Sequence, residues 1–189
     1  SVTTGTRAEY GILRPILNEI KNSRKLQLLL IVTGSHLSKK HGLTLNEIKK
    51  DGYKFAGKIN IVPKNSSEFE TTKSIGNGII LFAKIFRKLK PDINLILGDR
   101  DEMFASATAA YHMNIPNAHI HGGDKSGGLD EYTRHAITKI SNIHFAATKK
   151  SANRILRMGE NSDFVFHTGS PSIDEVLKNK ITQKSFKTK

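Results

Sequence analysis

Short apolar runs alternate with longer amphipathic stretches along almost the whole chain, and this alternation limits the available folds more than any other feature. LQLLLIVT (Leu26–Thr33) is almost entirely apolar and is followed by a glycine, as expected for a strand buried on both faces. INLIL (Ile93–Leu97) has the same character. Between them, Glu68–Leu89 carries apolar side chains at three- and four-residue spacing, which predicts a long amphipathic helix.

The same patterns predict seven strands: Val2–Thr4, Leu26–Thr33, Lys58–Val62, Ile93–Leu97, Ala118–Ile120, His144–Ala147 and Phe164–His167. The predicted helices are Glu9–Ser23, Thr44–Asp51, Glu68–Leu89, Asp101–Met113, Leu129–Ile140, Lys149–Met158 and Ile173–Asn179. Such an alternation with short connections favours an α/β fold with a Rossmann-like, mostly parallel sheet and helices on both faces. Ligands of such sheets bind outside the carboxyl ends of the strands, so the polar residues after each strand are the candidates.

Composition excludes several classes of protein. The 189 residues contain no cysteine, which excludes a disulfide scaffold, thiolate metal ligands and a cysteine nucleophile. No apolar run approaches the ~20 residues of a membrane span, and we expect a cytoplasmic protein without a membrane partner.

The net charge of +13 would suit an acidic partner, but no aromatic-interleaved basic motif accompanies it, so nucleic acid is not favoured. Residues 1–175 are predicted to form one domain and 176–189 a basic tail.

Glycine turns follow the first two predicted strands. Gly5 and Thr6 lead into a helix whose N-terminal amides suit a phosphate, and Arg7 can add a forked contact. The same glycine also has a simpler interpretation, as the turn that any strand–helix connection needs. His36 follows the second strand and can either bind a ligand oxygen or lie free in solvent.

The segment GDRDE after INLIL is the most informative strand end. It places the Asp99 carboxylate at the ligand edge of the sheet, with Arg100 beside it. Asp99 could instead cap the next helix, but Asp101 is better placed for that task, and Asp99 is then available for chemistry.

A loop with four glycines in seven residues lies within HIHGGDKSGG (His119–Gly128). Such a loop permits close approach of a ligand to the backbone. His119 and His121, two apart on a short strand, are expected to share one face. With Asp124 and Asp130 they could be interpreted as a metal site, but the spacing matches no strong zinc motif and we predict no metal.

Asp130 and Glu131 begin the helix that follows this loop. Paired acids in a first turn commonly complement the helix dipole. Here the loop would bring them to the same edge as Asp99 and His121, where crowding and partial burial would raise their pKa values toward those of a general acid or base.

Together these motifs resemble the UDP-N-acetylglucosamine 2-epimerase family, and more closely its hydrolysing branch. The resemblance is carried by GTRAEYG (Gly5–Gly11), VTGSHL (Val32–Leu37), Thr44–Gly52, GDRDEM (Gly98–Met103), Ala118–Phe145 and GSPSID (Gly169–Asp174). These segments cover most of the chain in the family's order and spacing.

The resemblance implies one half of a two-domain, glycosyltransferase-B-like enzyme that acts on UDP-N-acetylglucosamine without a metal or cofactor. The implied reaction removes the C2 proton and eliminates UDP; water then adds at C1, and C2 is reprotonated from the other face to give N-acetylmannosamine. A homodimer in the full-length form is also implied.

By motif, the resemblance assigns acid–base roles to Asp99 and Asp130, with His121 and Glu131 as further candidates. The residues it places at the substrate, some of them in supporting roles, are Gly5, Arg7, His36, Arg100, Gly122, Gly123, Arg134, His135 and Asp174. Many relatives carry a glutamate at the position of His121, where a neutral imidazole could perform the same proton transfer.

Two alternative functions remain open at this point: a non-hydrolysing epimerase that yields UDP-N-acetylmannosamine, and a non-catalytic sugar-nucleotide-binding or regulatory module. Family members are considerably longer than this chain. We therefore expect it to be the N-terminal domain, to lack the C-terminal domain that supplies most uridine and diphosphate contacts, and to show little turnover alone.

Overall fold

A computed structural model describes residues 1–38 and 43–178. Its strands are β1 (Val2–Thr4), β2 (Leu30–Thr33), β3 (Phe55–Ile59), β4 (Asn94–Leu97), β5 (Asn117–Ile120), β6 (Ile143–Ala146) and β7 (Val165–His167). They form one parallel sheet in the order β3-β2-β1-β4-β5-β6-β7. The predicted α/β class with a Rossmann-like sheet is therefore confirmed.

Helices connect the strands, and the ends of the longest have local sequence reasons. The helices are α1 (Arg7–Asn22), α2 (Leu45–Lys50), α3 (Glu68–Leu89), α4 (Asp101–His112), α5 (Leu129–Lys139), α6 (Lys149–Arg157) and α7 (Pro171–Lys178). The prediction for α3 is confirmed at both ends. Ser67 caps its first turn, and Lys90 ends it in a left-handed conformation just before a proline.

The apolar side chains of the strands alternate between two packed layers. Leu30 and Val32 of β2 share a core with Leu13 and Leu17 of α1, whereas Ile31 between them packs in a second core. That second core contains apolar residues of α3 and α4, and α5 and α6 continue it with smaller clusters. Because neighbouring strand residues point to opposite faces, an apolar strand such as β2 needs helices on both sides.

Two strand boundaries differ from the prediction. β2 begins at Leu30 rather than Leu26; Leu30 pairs with Phe55, the first residue of β3, and Leu26 is exposed. β3 covers Phe55–Ile59 rather than Lys58–Val62, since Thr33, the last residue of β2, pairs with Ile59. In both cases strand length is set by the available partner rather than by the length of the apolar run.

Two further expectations concern boundaries. Asp101 is the first residue of α4 and does not cap it; the capping position is Arg100, without a side-chain hydrogen bond. Helix α7 runs through the predicted boundary between residues 175 and 176, and residues 179–189 of the predicted tail lie outside the described residues. Within residues 1–38 and 43–178, no helix has the length and apolar character needed to cross a membrane.

Candidate functional site

The path of the chain across the sheet reverses at β1, which pairs in parallel with both β2 and β4. The turns after β1 and β4 therefore lie side by side at the carboxyl edge, where open α/β sheets bind ligands. We call this region the mouth. It comprises Gly5–Arg7, Gly34–Leu37, Gly98–Arg100 and His121–Gly128.

Asp99 follows β4 and forms an ion pair at the mouth. Its Oδ2 accepts a hydrogen bond from Nη2 of Arg134, a mostly buried residue of α5. Nη1 of Arg134 donates to the backbone oxygen of Asp124 at 2.8 Å and to Oγ of Ser126 at 3.1 Å. One arginine therefore holds both the predicted catalytic carboxylate and the glycine-rich loop.

His121 lies at the same mouth, just beyond the end of β5. Its backbone is left-handed, with φ of 63°, and its Nε2 lies 3.1 Å from Oγ of Ser170. Burial lowers the pKa of His121, while the charges of Asp124 and Asp99 act in the opposite direction. The ring is therefore neutral at neutral pH and close enough to Asp99 to sense its charge.

His119 has a different environment from His121. It is fully buried in β5, with Nε2 2.7 Å from the backbone oxygen of Gly98 and Nδ1 3.2 Å from Oγ1 of Thr138. Burial lowers its pKa to about 3. The expectation that the two histidines share a face is wrong, because β5 ends at Ile120 and strand alternation no longer applies. Among the residues that the structure describes, no group of three His, Cys, Asp or Glu side chains is placed to hold a metal ion.

The first two glycines of the loop are buried against neighbouring elements. Gly123 has φ of 72°, and a Cβ there would lie 2.5 Å from the backbone oxygen of Ser151 in α6. A Cβ at Gly122 would lie 2.9 Å from Nδ1 of His119. Arg154 donates to the backbone oxygen of Gly123. Close packing therefore already requires glycine at both positions, whatever binds at the mouth.

The two acids at the start of α5 have different environments. Oε2 of Glu131 accepts hydrogen bonds from the amides of Gly127 at 2.7 Å and Ser126 at 3.0 Å, and these bonds lower its pKa. Asp130 is exposed, and its charge is one of the influences that raise the pKa of Asp101, after burial and Glu102. The predicted rise in the pKa of Glu131 is therefore wrong, because this carboxylate is held by two amides of the loop. Asp130 instead presents an exposed carboxylate beside the first turn of α4.

His36 is fully buried beneath the turn after β1. Its Nε2 lies 3.0 Å from Oγ1 of Thr4 and its Nδ1 2.6 Å from Oγ1 of Thr44. Its backbone amide donates to the oxygen of Gly5 at 3.2 Å, and burial lowers the pKa of the ring to about 4. The interpretation of His36 as a solvated loop histidine is wrong; it supports the Gly5 turn.

Three other predicted substrate residues lie at the edge of the mouth or away from it. Arg7 is exposed, with Nε 3.2 Å from Oε2 of Glu47. His135 faces Glu131 within α5, at 3.7 Å from Nε2 to Oε1. Asp174 is exposed on α7 beside the C-terminal half of α1, so it does not join the other site residues.

Two buried carboxyl groups at the mouth were not among the predicted site residues. Glu9 in α1 accepts hydrogen bonds from the amides of Gly5 and Thr6, and Glu102 in α4 pairs with Arg100. The capping-box pattern from Thr6 to Glu9 could have revealed the first. No sequence signal indicates the burial of Glu102, because an acid in a first helical turn is normally solvated.

A parallel sheet with a carboxylate, an arginine and a neutral imidazole at its switch point defines an α/β domain of the class that binds ligands there. A family model described as UDP-N-acetylglucosamine 2-epimerase matches residues 18–189. The chain belongs to this family, and the predicted membership is confirmed.

Individual relatives agree with this assignment. The chain is 44% identical over 177 residues to the UDP-N,N'-diacetylbacillosamine 2-epimerase (hydrolyzing) of Legionella pneumophila, covering 94% of this chain and 47% of that protein. It is 38% identical over 179 residues to the GDP/UDP-N,N'-diacetylbacillosamine 2-epimerase (hydrolyzing) of Campylobacter jejuni, covering 94% and 46%. The chain thus spans about half the length of these curated relatives.

A solved structure supports the fold. UDP-GlcNAc 2-epimerase from Neisseria meningitidis, bound to UDP-GlcNAc, superposes with a TM-score of 0.82 at 26% identity, covering 94% of this chain and 48% of that one.

Proposed function

We propose that this chain supplies the acid–base half of a hydrolysing UDP-sugar 2-epimerase, which converts UDP-N-acetylglucosamine and water into N-acetylmannosamine and UDP. The observation that carries the proposal is the position of Asp99, directly after a central strand, paired with Arg134 and within electrostatic reach of His121. The family membership and the hydrolysing relatives support the choice of reaction.

In the proposed elimination, one side chain at the mouth removes the proton from C2 while the C1–oxygen bond to UDP breaks, which leaves a double bond between C1 and C2. Water then adds its hydroxyl group to C1, and a proton returns to C2 from the opposite face. Asp99 and Asp130 are carboxylates suited to accept or return a proton, and neutral His121 can do either. Glu131 acts through the loop amides that it holds.

The phosphate groups of the substrate are expected near the start of α1. The amides of Gly5 and Thr6 already donate to Glu9, so they do not supply the contact that the sequence suggested. The proposal rests instead on the exposed guanidinium groups of Arg7 and Arg100, which flank the mouth. Because this chain spans about half of its relatives, we propose that a second domain completes the uridine diphosphate site and that the whole protein forms a homodimer.

A second candidate substrate is UDP-N,N'-diacetylbacillosamine, which carries a further acetamido group. It is favoured by the printed names of two relatives, at 44% and 38% identity. Both candidates undergo the same chemistry at C1 and C2, so the mouth described here suits either.

Product analysis of the full-length protein tests the proposal. Incubation with each UDP sugar, followed by NMR spectroscopy, should yield free UDP and a free 2-epimeric sugar. A UDP-linked epimer would instead indicate the non-hydrolysing reaction, and binding without turnover would indicate a non-catalytic module.

Asp99→Asn should lower kcat roughly 100-fold or more, because it removes the proposed proton acceptor. The matched control is Asp163→Asn, at an exposed site after α6, which should keep the rate within about twofold.

A further inference from the structure

Two carboxyl groups meet beneath the mouth, one from α1 and one from α4. Glu9 is 8% exposed and Glu102 is 9% exposed. A Cβ at Gly5 would lie 3.2 Å from Oε2 of Glu9 and 3.3 Å from Oε1 of Glu102, so both groups approach the same small volume. Two carboxylates that approach one buried point are costly to ionise together, and the charge of Glu102 acts on Glu9.

The two oxygens of Glu9 have different partners. Oε2 accepts hydrogen bonds from the amides of Gly5 and Thr6, both at 2.9 Å. Oε1 is buried and has no hydrogen-bond partner among the described residues. A buried carboxylate oxygen without a donor is unfavourable, and a proton on Oε1 would remove its charge. Burial first, and the charge of Glu102 in addition, raise the pKa of Glu9 to about 7, against the opposing effects of the two amides and Arg100.

Arg100 connects this pair to the open mouth. Its Nε lies 3.3 Å from Oε2 of Glu102, and its half-exposed side chain follows Asp99 in sequence. Other charged or titratable groups near this pair include Asp99, Asp101 at the start of α4, Asp130 of α5 and His36 below Gly5. Burial lowers the pKa of His36 to about 4, so its ring is neutral at neutral pH.

We propose that Glu9 and Glu102 together hold one proton and one negative charge, and that this single charge positions Arg100 beside Asp99 for the substrate. Ionisation of Glu9 adds a second negative charge beneath Arg100 and draws its guanidinium inward, which weakens substrate binding. The proton-sharing part depends only on the geometry of α1 and α4, whereas the substrate part rests on the proposed function.

Proton sharing between Glu9 and Glu102 is tested without any substrate, by ¹³C NMR titration of the glutamate carboxyl groups in the 189-residue chain. The Glu9 signal, assigned by its loss in Glu9→Gln, should titrate near pH 7. Glu102→Gln should lower this midpoint by about one unit or more, because it removes the neighbouring charge and releases Arg100 to Glu9. Glu68→Gln, at an exposed acid in the first turn of α3, is the matched control and should leave the midpoint unchanged. An ordinary midpoint near 4.5 for Glu9, or one insensitive to Glu102→Gln, would overturn proton sharing.

The positioning role is tested by the pH dependence of KM and kcat in the full-length protein. In the unsubstituted protein KM should rise between about pH 6.5 and 8 with little change in kcat. In Glu9→Gln this rise should disappear, because a carboxamide mimics the protonated acid. Glu102→Gln should raise KM about tenfold, and Glu102→Asp should restore part of the loss. A Glu9→Gln protein that keeps the pH dependence of KM contradicts the positioning role. An unsubstituted protein without turnover contradicts the proposed function instead, and the NMR titration still decides whether the proton is shared.

Discussion

At the residue scale, the structure leaves no room for a side chain at position 34, where the chain has a glycine. Its φ is 55°, and a Cβ there would lie 2.4 Å from Oε1 of Glu102 and 2.8 Å from the backbone oxygen of Gly5. Gly34→Ala therefore combines left-handed strain with a clash against backbone, and we expect it to lower the free energy of unfolding by about 2–3 kcal/mol. Urea denaturation measures this change.

The matched control is Gly11→Ala on the exposed side of α1. A Cβ at this position meets nothing within 4 Å, and the backbone is helical. Alanine should therefore stabilise the chain by about 0.5–1 kcal/mol. Equal effects of the two substitutions would show that the contacts of Gly34 do not matter.

Two buried histidines make the free energy of unfolding depend on pH, and their burial determines the direction of that dependence. Burial lowers the pKa of His36 to about 4 and that of His119 to about 3, from an ordinary value of 6.5. For each histidine, the unfolded chain binds more protons than the folded chain between the lowered pKa and 6.5. The free energy of unfolding therefore rises with pH up to about 6.5 and falls on acidification below that pH. Glu9 acts in the opposite direction, because its raised pKa makes the folded chain bind more protons between about 4.5 and 7.

His36→Gln isolates one of these contributions. We expect it to reduce the rise of the unfolding free energy between pH 4 and 6.5 by up to about 1.4 kcal/mol per pH unit, measured by urea denaturation at several pH values. His112→Gln, at an exposed position in the last turn of α4, should leave the slope unchanged. An unchanged slope in His36→Gln would mean that His36 is not held neutral by burial.

At the scale of elements, helix α5 determines the shape of the glycine-rich loop. Arg134 bonds to Asp99, to the backbone of Asp124 and to Ser126. Arg134→Met leaves a partly buried carboxylate unpaired and removes the loop contacts. We expect the free energy of unfolding to fall by about 3 kcal/mol and amide hydrogen exchange in residues 122–128 to become faster. Arg157→Met, at an exposed position of α6, should do neither.

Glu131 offers a second test of the same element, since it holds the loop through two backbone amides. Glu131→Gln keeps an acceptor oxygen, whereas Glu131→Ala removes it. Hydrogen exchange of the amides of Ser126 and Gly127 should therefore change little in the first variant and accelerate in the second. If Glu131 transferred protons itself, the glutamine variant would lose activity as severely as the alanine variant.

At the scale of the molecule, several charged groups at the carboxyl edge of the sheet are exposed to solvent, among them Arg7, Arg100 and Asp130. Water screens these charges, and preorganised electrostatics lose their effect when water can reorganise around them. We therefore predict that the 189-residue chain alone releases UDP from UDP-N-acetylglucosamine roughly 100-fold or more slowly than the full-length protein. A coupled assay for UDP compares the two. Equal rates would show that one domain is sufficient.

Much of the architecture was predictable because its signals are local. The period of apolar residues revealed α3, which Ser67 and Pro91 delimit within a few residues of chain. The strand ends were harder to predict, as β3 shows, because a strand ends where its neighbour does. Of the predicted site, the structure brings Asp99, His121 and Arg134 together but leaves Asp174 on another part of the molecule.

By itself, the sequence determined the class of fold, the order of its elements and the family, because periodicity, caps and glycine turns act over a few residues. Only the tertiary structure decided which polar groups lose water. It buried His36, turned His121 away from His119, paired Asp99 with Arg134, and brought both Glu9 and Glu102 beneath Gly5. The physical reason is that desolvation and charge interactions depend on distance in space, and helices far apart in the chain meet here at one edge of the sheet.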